Sequence, residues 1–545
     1  MSPAIHQNNS DSQVQKAVLR GLMRPQSYLH TVVTIERIET HISTVLLTGR
    51  YAYKIKKPLS LGFLDFSTIT ARRHFCEEEL RLNRRLAPDM YLEVVAICGT
   101  PDAPYIASLD AEGAIEYAVK MKQFPQQALL DRMLSSSELT GLHVDELAQI
   151  VAAFHTKVAR ATREDGYGTP ANVAVTMRQN FTQIRAFLQS SEESRTLDEL
   201  EQWSIAEHKA FAPLMAQRLR NGHVRECHGD LHLGNIACVD GCIRIFDCIE
   251  FNPGLRWTDV AAEIGFLVMD FSAHDRPDLG ARFLNAYLEI TGDYAAVRLL
   301  PYYLVYRAMV RAKVACIRSH QTGITTSQRE SANTEFAEHL QLARSFICQS
   351  LSCLLITCGV AGSGKTTVTQ ALVEQLGNLG ALRIRSDIER KRLHGLAGAA
   401  RSESAVDAGL YSETATRSTY DEIYRLAQLL IKSGWPVIVD AGFLLRSQRD
   451  RFRTLATVAE VPFLLLDCHA SADELRRRVT QREAAGNDAS EATLAILEHQ
   501  LDIVEPLTAD ERDSTLSIDT QRAAGQNVVE QVCLRLSLPP CAKSR

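Results

Sequence analysis

The residues best placed to do chemistry form one short string, Gly359-Val-Ala-Gly362-Ser363-Gly364-Lys365-Thr366. It fits the pattern GxxxxGK[ST], and each residue type in it serves the binding of a phosphate chain. Glycines let backbone N–H groups wrap the phosphates. Lys365 reaches the β- and γ-phosphates, and Thr366 offers a hydroxyl to Mg²⁺. The helix that begins there turns its positive end toward the same anion. An apolar strand, Leu354 to Thr357, precedes the loop, and a helix from Thr367 to Leu376 follows. Gly359, Gly362, Ser363, Gly364, Lys365, Thr366 and Thr367 are the expected nucleotide contacts.

A second cluster lies earlier in the chain. His228-Gly-Asp230-Leu-His-Leu-Gly-Asn235 has the spacing HxDxxxxN. A hairpin turning at Asp240-Gly241 follows, and Asp247 ends the apolar run IRIF. Upstream, Ala52-Tyr-Lys54 sits on an alternating strand, where a period of two puts Ala52, Lys54 and Lys56 on one face. Lys56 is thus the rival of Lys54. In the next helix Phe75, Glu79, Leu82 and Leu86 recur at i, i+4, i+7 and i+11. Glu79 falls on the inward stripe, where a charge needs a partner, and Lys54 is the natural one. Glu77 and Glu78 read as solvated neighbours.

These stretches resemble the superfamily of aminoglycoside phosphotransferases, choline kinases and fructosamine kinases. The resemblance implies that Asp230 accepts the proton of a substrate hydroxyl or orients it, and that Asn235 and Asp247 hold Mg²⁺. It implies that Lys54 and Glu79 position the ATP phosphates, and that Asp259 in RWTDVAAE braces the catalytic loop. One departure is Thr40-His41-Ile42-Ser43, which stands where a glycine-rich loop is expected, so phosphate contacts there would fall to hydroxyls and backbone N–H groups.

In the later half, SDxxRKRL resembles polynucleotide kinases and small-molecule P-loop kinases. Asp387, ending the strand ALRIRSD, would orient and deprotonate an acceptor, and Arg390 would hold the substrate or the transferring phosphoryl group. The rival reading of Asp387 is a helix cap beside a solvated basic turn. Asp440, ending WPVIVD, resembles a Walker B carboxylate for Mg²⁺. Arg478 and Arg482, four apart on one helix face, resemble an arginine-bearing lid; a solvated basic helix is the alternative. From about residue 20 the chain resembles a bacterial family of bifunctional proteins, described as aminoglycoside phosphotransferase-like with an ATP-binding domain. THIS, KIKKP, GFLDFST, EEELRLNRRLAP and VYRAMVRAKV carry that likeness.

The elements that must position these groups fall into two patterns. Strands, then mainly helices broken by a short hairpin at 224–248, fill the first part. The polar stretch 321–334 reads as a linker leading into a connecting helix at 335–350. Strand–helix alternation runs from 351 onward, with a parallel sheet the consequence. The expected domains are therefore 20–320, an α+β, protein-kinase-like bilobal domain, and 351–545, an α/β P-loop domain, with 321–350 between. The 545 residues are too many for one core.

A formal net charge of -5 points to no overall nucleic-acid or membrane binder. The polar start lacks a signal peptide's apolar core, and no apolar run approaches the ~20 residues of a membrane span, so a soluble cytoplasmic protein is expected. Cys227, Cys238, Cys242 and Cys248 lie close in sequence, but without a CxxC pair they read as reduced thiols rather than a zinc site. Tyr302, Tyr306, Arg307, Arg311 and Lys313 read as a packed helix with snorkelling bases rather than a substrate wall.

The expected function is phosphotransfer from Mg·ATP to a hydroxyl of a small molecule, with two nucleotide sites. The alternatives are a single N-terminal kinase regulated by a nucleotide-binding C-terminal domain, and a 5′-hydroxyl polynucleotide kinase in the C-terminal half. Nucleic acid is not the favoured partner.

Overall fold

The computed structural model describes residues 9–60, 64–188, 190–321, 323–348, 352–398, 412–485, 492–522 and 525–536. The opening residues 1–8 and positions 61–63, which include the first two residues of the GFLDFST stretch, lie outside them. The chain divides into two compact units. The first comprises Met1–Thr140, Ala153–Leu197 and Ser204–Leu267; the second comprises Gly141–Ala152, Asp198–Trp203 and Val268–Arg545.

The first unit is built on a six-stranded antiparallel sheet. Its order is Glu36–Glu39, Ser43–Leu47, Tyr51–Lys56, Glu116–Lys122, Tyr91–Thr100, Ala103–Ser108. Three of these strands lie between 91 and 122, because 101–102 turn the first of them back on itself. The period of two decides the two faces. Tyr53 and Ile55 pack with Val18 and Leu22 of the helix Asn9–Leu22, while Ala52 packs with Cys76 of the helix Ile69–Asn83. The Thr68 side chain starts the latter helix by accepting the Ala71 N–H at 3.1 Å. A small hairpin, Ile236–Val239 with Cys242–Ile245, and a two-stranded antiparallel pair, Val224–Glu226 with Trp257–Asp259, complete the frame. Asp240 and Gly241, at φ 53° and 74°, form the left-handed two-residue turn that suits the twist of such a hairpin.

The second unit centres on a five-stranded parallel sheet ordered Leu382–Arg385, Val437–Asp440, Leu354–Cys358, Phe463–His469, Thr515–Asp519. Its strands are buried on both faces. The chain leaves the central strand first to one side and later to the other, which opens a crevice beyond the carboxyl ends. The strand expected to end at Asp387 ends at Arg385; Ser386–Leu393 is already helix. The linker reading of 321–334 also gives way. Thr325 and Gln328 form a reciprocal capping box and begin a helix spanning Thr326–Ile347, whose polar residues are simply its exposed face. Tyr302 and Arg307 are buried in the helix Leu300–Ser319, and Arg311 pairs with Glu335 at 3.2 Å. No described helix is long and apolar enough to cross a membrane.

Candidate active sites

In the first unit Lys54 extends from its strand into a nest of carboxylates. Its ammonium lies 2.9 Å from Glu79 Oε1 and bonds Asp247 Oδ1. Lys56 bonds the other Glu79 oxygen at 2.6 Å and also Glu250. The two lysines rivalled for one partner, and the structure shows them sharing it. Lys54 alone reaches Asp247, whose side chain is 43% exposed, while Lys56 is sealed inside.

Burial pushes the Glu79 carboxyl up, but Lys54 and Lys56 outweigh it and hold it down at about 2. A carboxyl so depressed stabilises the fold fully above its ordinary 4.5, and that contribution is lost as pH falls toward about 2. Glu79→Gln is therefore expected to cost about 3 kcal/mol near neutrality, with the gap to wild type closing only below about pH 4.5. Urea unfolding of both proteins across that range measures it.

The loop 228–235 is held by its own polar atoms. Gly229, at φ 89°, leaves no room for a Cβ, which would sit 3.1 Å from Leu255 O. His228 accepts the Asp230 N–H at Nδ1 (3.3 Å) and approaches Phe246 O through Nε2 (2.8 Å), tying the loop to the segment that carries Asp247. Asn235 donates to Asp230 O at 3.0 Å and to Asp230 Oδ2 at 3.1 Å. His232 accepts the Gly234 N–H at Nδ1, so its Nε2 carries the proton turned toward Asp230 Oδ2, 3.3 Å away. The Asp230 carboxylate is thus oriented by two donors yet 37% exposed. Asp247 sits at φ 66°, a conformation Asp tolerates better than most residues, and its N–H donates to Tyr91 Oη at 3.2 Å.

The expected brace, Asp259, does something else. It forms a two-pronged pair with Arg218 (2.7 and 2.8 Å) and accepts the Ala261 N–H. Glu263, one helical turn on, braces the loop instead: its oxygens accept the N–H groups of His228 (2.6 Å) and Gly229 (3.0 Å). Its signal was a carboxylate inside the apolar run VAAEIGFLV, the same argument that found Glu79.

The expected hydroxyl contacts at Thr40-His41-Ile42-Ser43 are spent. Thr40 Oγ1 accepts the Ser43 N–H (2.9 Å), and Ser43 is fully buried. Cys227 and Cys248 are buried thiols, Cys238 is half-buried and Cys242 exposed. His155, Cys227 and Glu263 lie within ligand distance of one another. However, both Glu263 oxygens hold backbone N–H groups, and the Cys227 thiol donates to Thr258 O at 3.6 Å. These contacts account for the trio as structural.

In the second unit one cavity of about 450 Å³ gathers nearly every predicted group. Gly359, Gly362, Gly364, Lys365, Thr366, Thr367, Asp387, Arg390, Asp440, Arg478 and Arg482 all line it. Ser363 lies just behind, fully buried, its hydroxyl 3.3 Å from the Lys365 ammonium. Gly359 is at φ 142°, and a Cβ there would meet Cys468 O at 2.4 Å, so only glycine builds the turn. Lys365 Nζ donates to the carbonyls of Gly359 and Val360, both at 2.8 Å. Burial lowers its pKa, with the Asp440 charge opposing. Thr369, one turn along the same helix, donates to Asp440 Oδ2 at 3.2 Å.

Asp387 stands inside the helix Ser386–Leu393 rather than at its cap. The adjacent Arg476 pairs with Glu498, and Arg477 and Arg478 share Glu474; Arg478 also reaches Gly362 O (3.2 Å) and Thr520 Oγ1 (2.9 Å), and Arg482 bonds Ala492 O (3.1 Å). Sequence reasoning missed two wall residues. Gln500 Oε1 accepts the Ala361 N–H at 2.7 Å, and Tyr420 Oη accepts the Phe443 N–H at 3.0 Å. Neither carries a motif.

The segment after Asp440 rests on a buried pair: Arg449 donates to Phe443 O (3.1 Å) and grips Glu511 through two bonds of 2.6 and 3.2 Å. Glu511→Gln leaves Arg449 buried with no anion, so a loss of about 3 kcal/mol is expected in urea unfolding of this unit.

The donors around both clefts are hard oxygens, a carboxylate with an amide in one and a carboxylate with a hydroxyl in the other, which suits Mg²⁺. A lysine-anchored, aspartate-bearing loop beneath an antiparallel sheet, and a glycine cradle at the crevice of a parallel sheet, define two kinase folds in one chain. A model of the phosphotransferase enzyme family matches residues 72–300, and a model of an AAA domain matches 354–507. Uncharacterized protein Rv2004c of Mycobacterium tuberculosis is 30% identical over 459 residues, covering 84% of this chain and 88% of that protein. Uncharacterized protein Mb2027c of Mycobacterium bovis matches to the same extent.

Among solved structures, an amicoumacin kinase in complex with AMP-PNP is 14% identical, with 61% of this chain and 95% of that one covered and a TM-score of 0.37. The Mycobacterium tuberculosis APS kinase gives 21% identity, 34% and 98% coverage, and a TM-score of 0.26. The chain belongs to the family of the mycobacterial proteins, and in this chain the phosphotransferase region precedes the P-loop region. It is a phosphotransferase enzyme of kinase type.

Proposed function

We propose that the protein transfers the γ-phosphoryl group of ATP to a hydroxyl of a small molecule, and that each unit holds its own Mg·ATP. The observation that carries this reading is the cavity of the second unit, in which a phosphate cradle and an aspartate–arginine pair share one wall. Its size, about 450 Å³, lies in the range of small-molecule sites. Asp387 takes or orients the acceptor proton, Arg390 holds the acceptor or the moving phosphoryl group, and Arg478 and Arg482 close over the phosphates. In the first unit Asp230 has the same task as Asp387, and Lys54, held by Glu79, positions the phosphates. Mg²⁺, held by Asn235 and Asp247 in one site and by Thr366 and Asp440 in the other, screens the phosphate charge when bound.

The test is transfer of label from γ-labelled ATP to a panel of sugars, amino alcohols, nucleosides and 5′-hydroxyl RNA. Labelling that depends on Asp230 or Lys365 supports the reading. Absence of ATP binding and of any site-dependent labelling refutes it. Preferential labelling of the RNA, with steep salt dependence, favours the polynucleotide kinase reading of the C-terminal half instead.

A further inference from the structure

The carboxylate Asp440 is the end of a chain of polar contacts that starts outside the P-loop region. Thr369 Oγ1 donates to Asp440 Oδ2 at 3.2 Å and lies 3.4 Å from Arg383 Nη1. Arg383 stands on the edge strand Leu382–Arg385 and is buried, and its partner Glu289 is half-buried; its Nε and Nη2 both reach Glu289 Oε1 at 2.9 Å. Glu289 lies in the helix Pro277–Thr291, within the stretch matched by the phosphotransferase family model.

We infer that Glu289, acting through Arg383 and Thr369, is a positioning residue that keeps Asp440 available to a divalent cation in the P-loop site. The physical argument concerns a buried guanidinium one hydroxyl away from a metal-binding carboxylate. With Glu289 in place, the charge of Arg383 is satisfied on the side away from Asp440, and its remaining N–H fixes the Thr369 hydroxyl. The hydroxyl proton has Asp440 Oδ2 and Thr366 O as acceptors, each at 3.2 Å, and the Arg383 N–H fixes the oxygen that carries it. Without the Glu289 charge, Arg383 is left linked through the Thr369 hydroxyl to Asp440, and a guanidinium drawn toward that carboxylate competes directly with the cation. Groups one step removed from a metal commonly change its affinity by about 10–100-fold when altered. The inference rests on the reading of the P-loop cavity as a Mg·nucleotide site.

The experiment is a Mg²⁺ titration of binding of a fluorescent ATP analogue, taking the component that Lys365→Ala abolishes. Glu289→Gln, which keeps shape and removes charge, is expected to raise the Mg²⁺ needed for half-maximal binding about tenfold. Binding without Mg²⁺ stays as in wild type. Thr369→Val is expected to produce a shift of similar size, and the double variant no more than the larger single one, because both act on one chain of contacts. A lowered melting temperature with unchanged Mg²⁺ dependence overturns the inference, and so do shifts that add. If wild type shows no Lys365-dependent binding at all, the underlying reading of the cavity fails first, and that outcome is visible before any Glu289 variant is measured.

Discussion

Asp230→Asn is expected to lower phosphotransfer at the first site about a thousandfold, with little change in nucleotide affinity. General-base assistance contributes about 10²–10⁴-fold, and the structure gives Asp230 the features of that role. Its carboxylate is exposed enough to meet an acceptor, and it is aimed by Asn235 and His232, which donate to the same oxygen. An asparagine can keep both contacts by turning its oxygen toward the two donors, but it cannot take a proton. The groups that would position the ATP phosphates stand on other elements: Lys54 is fixed by Glu79 and Asp247. The effect therefore falls on kcat and spares KM for ATP. Steady-state kinetics in a Lys365→Ala background isolates the first site. A variant with more than about half of the wild-type kcat would remove Asp230 from the chemistry.

Lys365→Ala is expected to abolish tight nucleotide binding in the second unit and to lower any turnover there by about a hundredfold or more. In the cradle the ammonium is bonded to the carbonyls of Gly359 and Val360 and to the Ser363 hydroxyl, so it is held within the loop. Burial makes its charge costly and lowers its pKa, a state that a polyphosphate relieves. Alanine removes the charge but leaves the glycine turns intact, so the melting temperature is expected to hold while binding is lost. Calorimetry with a nonhydrolysable ATP analogue reads the difference as one stoichiometric site disappearing from two. If that site disappears while transfer remains wholly dependent on Asp230, the second unit regulates the first. If a class of acceptor also disappears, it is a kinase in its own right.

The parts of these sites written in consecutive residues could be read from sequence, because their geometry is local. The loop 359–366 and the loop 228–235 with its hairpin are of this kind, and so is the Lys54–Glu79 pair, where strand and helix periods both point inward. Contacts between distant residues left weaker traces. Ala361 meets Gln500 across 139 positions, and Asp440 is linked to Glu289 through residues with no motif among them. Asp259 was credited with bracing the loop because it falls where a resemblance puts an acidic residue, while Glu263, four residues on, makes the bonds. The helix Thr326–Ile347 was obscured by composition, since its capping residues are the same Thr and Gln that read as linker. Likewise the strand before Asp387 ends early because Arg385 and Ser386 already start a helix.

The edge of the parallel sheet also bears on how the chain is made. Asn285, from the helix Pro277–Thr291, accepts the Arg383 N–H (2.7 Å) and donates to Ala381 O (2.9 Å), so its side-chain amide pairs with the outermost strand as a neighbouring strand would. An uncovered strand edge invites pairing with other chains. During synthesis the N-terminal portions emerge and fold first. Residue 285 therefore leaves the ribosome well ahead of residue 383, and the nascent strand meets its cover on arrival. The edge is thus closed from within the second compact unit, by a residue made before the strand it covers.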